Sequence, residues 1–79
     1  MKKLLIMGKG QANKEIIDYA RSIGVYSILT DSYSLEINPV KAYADEYWMI
    51  NTEDIDALET RCREEGIDAV ICGISEFNI

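Results

Sequence analysis

Two hydrophobic periods alternate along the chain. Lys3 to Met7 (KLLIM) is a short, nearly continuous apolar run, of the kind that forms a strand covered on both faces in a parallel sheet. Beyond Gly8 the pattern changes. Ala12, Ile16, Ala20 and Ile23 recur at three- and four-residue spacings, and Ile17 widens the stripe. Lys14, Glu15, Asp18, Arg21 and Ser22 take the other side, which predicts an amphipathic helix. Gly24 follows its last turn, where a residue able to enter the left-handed region ends a helix.

The alternation then repeats. Tyr26 to Thr30 is rich in residues that suit a pleated surface and predicts a second strand, closed by Asp31. Ser32 to Asp45 is polar, contains Pro39, and has room for a short helical turn around Val40 to Tyr43. Glu46 to Ile50 predicts a third strand. Thr52 is a good helix cap with Glu53 and Asp54 behind it. The second helix then carries Ile55, Leu58 and Cys62 on its apolar stripe, pairs Glu59 with Arg63, and stops at Gly66. Asp68 to Cys72 is a fourth apolar strand, and Gly73-Ile74-Ser75-Glu76-Phe77 opens a further element.

Strands alternating with helices predict an α/β fold with an open, parallel, four-stranded Rossmann-like sheet. Right-handed crossovers place strand two beside strand one, with strand three outside it. The second helix must then return the chain to the far side of strand one. The predicted order is 3-2-1-4, with helices on both faces. The winding reverses between strands one and four, and open α/β sheets bind ligands in the crevice at such a reversal. Gly8-Lys9-Gly10-Gln11 and Gly73-Ile74-Ser75-Glu76 meet there, with Asp31 one strand away.

Composition narrows the function. Seventy-nine residues make one domain, 1–79, with a marginal core. Apolar residues at 48% and a single proline exclude a disordered linker. Fourteen acidic against eight basic residues, net −6, leave no basic stripe for nucleic acid or an anionic membrane. Runs such as Leu4–Met7 are far too short to cross a bilayer, and too short for a signal peptide. Cys62 and Cys72 lack metal-ligand spacing and read as core thiols of a reduced, cytoplasmic protein. No histidine is present to serve as general base or zinc ligand, and neither a catalytic nor a metal-binding residue is assigned.

The glycine turn carries the candidate chemistry. Gly8 and Gly10 allow a tight turn with bare amides, and the helix behind it favours an anion; structural need alone would also explain two glycines in such a turn. A dinucleotide fingerprint would place a third glycine at position 13, where this chain has Asn13, so NAD-type geometry is disfavoured. Asp31 lies about twenty residues past the glycines, where a ribose-binding acid is expected, and where a strand end also favours a turn-forming aspartate. Lys9 suits either an anion or an exposed turn, and Ser75-Glu76 suits either a ligand or a helix cap. Tyr47-Trp48 reads as edge cover or a subunit contact, since no basic neighbours accompany it.

Four stretches carry a family resemblance: KLLIMGKGQANKEIIDYARSIGV, TDSY, YADEYWMINTED and IDAVICGISEF. Together they resemble the N-terminal, pre-ATP-grasp domain of the ATP-grasp ligases, near carbamoyl-phosphate synthase-like members. Ala44-Asp45 leading into a strand that ends before Asn51-Thr52 is the most specific match. Gly8-Lys9-Gly10 departs from the all-glycine turn common in the family. The resemblance implies an enzyme that uses ATP and Mg2+ to convert a carboxylate to an acyl phosphate, which an amine-type nucleophile attacks. ATP and its metals are then held mainly by a C-terminal ATP-grasp domain outside this chain. Carried over by position, the resemblance puts Gly8, Lys9, Gly10, Gln11, Gly73, Ser75 and Glu76 on the substrate side of the cleft. It implies that the chain is an N-terminal piece of a longer enzyme and inactive alone. Two other readings stay open: a free-standing nucleotide- or NAD-binding regulatory module, and a ligand-free interaction domain that pairs with a second copy through the third strand. Dimerisation would also hide apolar sheet left uncovered in a fragment.

Overall fold

The computed structural model describes residues 2–8 and 12–72. Along the chain run β1 (Lys3–Met7), α1 (Ala12–Ser22), β2 (Tyr26–Thr30), a short 3-10 helix (Pro39–Tyr43), β3 (Glu46–Trp48), α2 (Ile55–Glu65) and β4 (Ala69–Cys72). The sheet order is β3-β2-β1-β4. Every pairing is parallel, and β1 is flanked by β2 with Met7 beside Thr30, and by β4 with Met7 beside Cys72. The expected α/β fold and its 3-2-1-4 order therefore hold, and the winding reverses at β1.

Alternation along the strands feeds two core layers. On one face Leu5, Ile28 and Trp48 pack with Leu58 of α2, joined by Met7, Tyr26, Ile50, Cys62 and Ile67. On the other, Ile6 and Leu29 pack with Ile17 of α1 and Val40 of the 3-10 helix. Consecutive residues of β1 thus face opposite helices, which is why Leu4 to Met7 is apolar without a polar alternate. Gly24 (φ 76°) and Gly66 (φ 68°) end the two helices in the left-handed region, as their positions predicted.

Local chemistry moves several boundaries. The third strand stops at Trp48 instead of Ile50, and beyond it Thr30 Oγ1 donates to the Ile50 carbonyl at 2.9 Å. The second helix starts three residues after Thr52. Asn51 Oδ1 first accepts the Glu53 amide at 2.8 Å and forms a turn of its own. The cap is then Asp54, whose Oδ1 accepts the Ala57 amide at 3.2 Å. Trp48 is not edge cover: it is buried under α2, its Nε1 donates to Glu46 Oε2 at 2.8 Å, and Arg61 stacks 4.9 Å from its ring centroid. Tyr47, on the opposite face, is the exposed member of that pair. Ile23 and Ile55, expected on apolar stripes, are exposed as well.

Candidate functional site

The carboxyl ends of β1 and β4 lie side by side, so the segments leaving them start from neighbouring points. Gly8 turns the chain out of β1 with φ 111°, a conformation that side chains resist. Its amide donates to the Thr30 carbonyl at 3.1 Å, and its own carbonyl accepts Asn13 Nδ2 at 3.1 Å. Asn13, which the fingerprint would have replaced by glycine, is thus buried and bonded to the turn it follows. Lys9, Gly10, Gln11, Gly73, Ser75 and Glu76 lie outside the described residues.

Asp31 occupies the end of β2 but does not present its carboxylate to the crevice. It is 3% exposed, and both oxygens are engaged inside the protein. Oδ1 accepts Lys41 Nζ at 2.5 Å and the Tyr33 amide at 3.0 Å; Oδ2 accepts Asn38 Nδ2 at 2.5 Å. Lys41, fully buried, also donates to the carbonyls of Asp31, at 3.2 Å, and of Tyr33, and its Nζ lies 2.9 Å from Met49 Sδ. A buried ion pair is tolerable when further hydrogen bonds complete both partners, and here they do. The network staples the loop after β2 to the 3-10 helix. Ribose contact through Asp31 would require opening it.

Nothing in the sequence singled out Lys41. A lone lysine in a polar loop reads as solvated, and only the fold brings it against an acid ten residues earlier. Asn38, just before Pro39, gave the weak local hint of a turn. Other chemistry is sparse. Burial pushes the Cys62 thiol up from its ordinary value, which suits a packing role and not a nucleophile. Among the described residues no group of histidine, cysteine or carboxylate side chains could hold a metal ion, and no helix is long and apolar enough to cross a membrane. An apolar groove of about 250 Å³, lined by Leu4, Tyr19, Ile23, Val25 and Ile71, lies toward the amino ends of the strands, away from the crevice.

No family model matches the chain. It is 36% identical over 77 residues to the formate-dependent phosphoribosylglycinamide formyltransferase of Sulfolobus acidocaldarius, which covers 98% of this chain and 19% of that protein. The enzyme of the same name from Methanococcus maripaludis is 35% identical over 77 residues, with the same coverage of both chains. Among solved structures, the N5-carboxyaminoimidazole ribonucleotide synthetase of Thermotoga maritima superposes with a TM-score of 0.77 at 28% identity, over 94% of this chain and 19% of that one. The chain therefore spans about a fifth of the length of the relatives it matches. Both kinds of relative are ATP-grasp enzymes, and the similarity falls on their N-terminal part.

Proposed function

We propose that this chain, a homologue of the N-terminal part of ATP-grasp enzymes, is the substrate-side domain (residues 1–79) of a longer cytoplasmic ligase. In this reading the longer enzyme activates a small carboxylate with ATP and joins it to an amine-type nucleophile. The observation that carries it is the adjacency of β1 and β4 at the reversal of winding, within a fold shared over 94% of the chain with an ATP-grasp structure. Gly8, Lys9, Gly10, Gln11, Gly73, Ser75 and Glu76 would line the acid's side of the cleft. Backbone amides at a strand-to-helix turn can steady a carboxylate or a developing acyl phosphate without a charged side chain. Asp31 takes a different role in this account: with Lys41 and Asn38 it holds the neighbouring loop in shape.

Among the described residues the cofactor finds no fit: no group of carboxylates could hold Mg2+, and Asp31, the described acid at the end of β2, is consumed internally. The likeness to ATP-grasp enzymes supports a reading in which Mg2+ and ATP are held mainly by a C-terminal ATP-grasp part. Bound there, ATP would supply the phosphoryl group that activates the carboxylate, while this domain's part would be to hold and orient the acid. The name shared by the two formyltransferase relatives makes formate the first acid to try. The test is ADP release by the longer enzyme carrying this domain, measured with and without formate or another small carboxylate. Release that depends on the acid supports the reading. Release indifferent to every acid and amine offered, or none at all, would remove it.

A further inference from the structure

We infer that Asn13 is a positioning residue for the turn that leaves β1, doing by a hydrogen bond what a dinucleotide fold does with its third glycine. The inference deepens the substrate-side reading and rests on it. Gly8 is gripped from two elements: its amide by the end of β2 through Thr30, and its carbonyl by the first turn of α1 through Asn13 Nδ2. Asn13 is 2% exposed, an unusual place for a carboxamide on a small domain's helix. A buried amide is costly unless bonded, and the Gly8 carbonyl provides the partner. In the dinucleotide fingerprint, glycine at this position lets the helix close on the strand. Here a side chain fills that space, and the contact becomes a direct tie across the turn. Gly8 is the last described residue before the crevice, and it starts beside Met7 and so beside Cys72 of β4. Fixing it before a ligand arrives removes ordering that binding would otherwise have to supply.

The bond needs a donor at position 13, and that makes it testable. Asn13→Asp keeps the shape but sets an acceptor against the Gly8 carbonyl. Its charge is otherwise favoured at a helix start. Asn13→Ala removes the group while keeping a strong helix former. In isotope-labelled wild-type chain we expect a through-bond coupling between the Asn13 side-chain nitrogen and the Gly8 carbonyl carbon. We also expect saturable shifts of the Gly8 and Asn13 amides with formate or inorganic phosphate. Both variants should lose the coupling and bind either anion about tenfold more weakly, as for one lost hydrogen bond. Should Asn13→Asp fail to fold, Asn13→Ala carries the comparison. A folded variant that binds either anion within about twofold of wild type overturns the inference. Wild-type amides that respond to neither anion count against the substrate-side reading instead. Asn13 is then judged by exchange of the Gly8 amide: acceleration of about tenfold in Asn13→Ala supports the tie, and an unchanged rate overturns it.

Discussion

Replacing Lys41 by methionine isolates the least expected feature of the domain. The substitution nearly preserves volume and leaves the Asp31 carboxylate, 3% exposed, with the Tyr33 amide and Asn38 but no cation. Removing one partner of a buried pair costs about 3–5 kcal/mol. The two surviving donors to Asp31 argue for the lower part of that range; the carbonyls of Asp31 and Tyr33, which also lose Lys41, argue against going below it. We therefore expect a loss of about 3–4 kcal/mol. At about 0.05–0.15 kcal/mol per residue, a chain of 79 residues holds about 4–12 kcal/mol in total, so the loss takes from about a quarter of it to nearly all. Urea denaturation followed through Trp48, the one tryptophan and a buried one, reads this directly. Adding Asp31→Asn removes the stranded charge, so the double variant should lose well under the sum of the single losses. A loss under about 1 kcal/mol for Lys41→Met, or strict additivity, would refute the claim that the pair is closed off from water.

Two further predictions concern the other layer and the helix ends. The Trp48 indole, and after it the Tyr26 hydroxyl, hold the Glu46 carboxyl below its ordinary range. Its contribution to stability is therefore complete above the unfolded carboxylate value of about 4.3 and is lost as pH falls through the lower folded value. The bond to Glu46 raises Tyr26, whose contribution is complete below about 10 and is lost as pH rises past it. Urea midpoints of wild type and Glu46→Gln should converge at both extremes, and a constant gap across pH would count against this pair. At Gly66, φ is 68° and a methyl group would meet nothing within 4 Å, so Gly66→Ala should cost only the left-handed backbone, about 1 kcal/mol. A loss several times larger in the same assay would mean that the added methyl group meets a neighbour.

The parts of the fold that depend on local pattern were legible beforehand, and those that depend on long-range company were not. Strand order followed from alternation and handedness, because β1 and β4 are apolar on both faces and each crossover has one permitted hand. Gly24 and Gly66 marked helix ends because few other residues accept their backbone. Thr52 misled because Thr, Asn and Asp are all competent caps within four residues, and the turn made by Asn51 decides among them. Trp48 misled because pairing alone does not tell which side of a short outer strand faces a helix. At the end of β1, Gly8 announced a change of direction, but the burial of Asn13 was not foreseeable: a polar residue in a first helical turn normally faces water. Asp31 was visible as a strand-end acid, while its partner Lys41 needed the loop to fold back on it.

The central claim, that the crevice beside β1 holds the acid to be activated, is tested most directly at Gly10. In the proposed longer ligase, Gly10→Val should be assayed for carboxylate-dependent ADP release alongside its melting temperature. Turnover should fall about a hundredfold or more, the scale of losing preorganised donors, with melting shifted by only a few degrees. Turnover and stability falling in step, or turnover left intact, would reduce Gly10 to an ordinary turn residue and leave the crevice without a role.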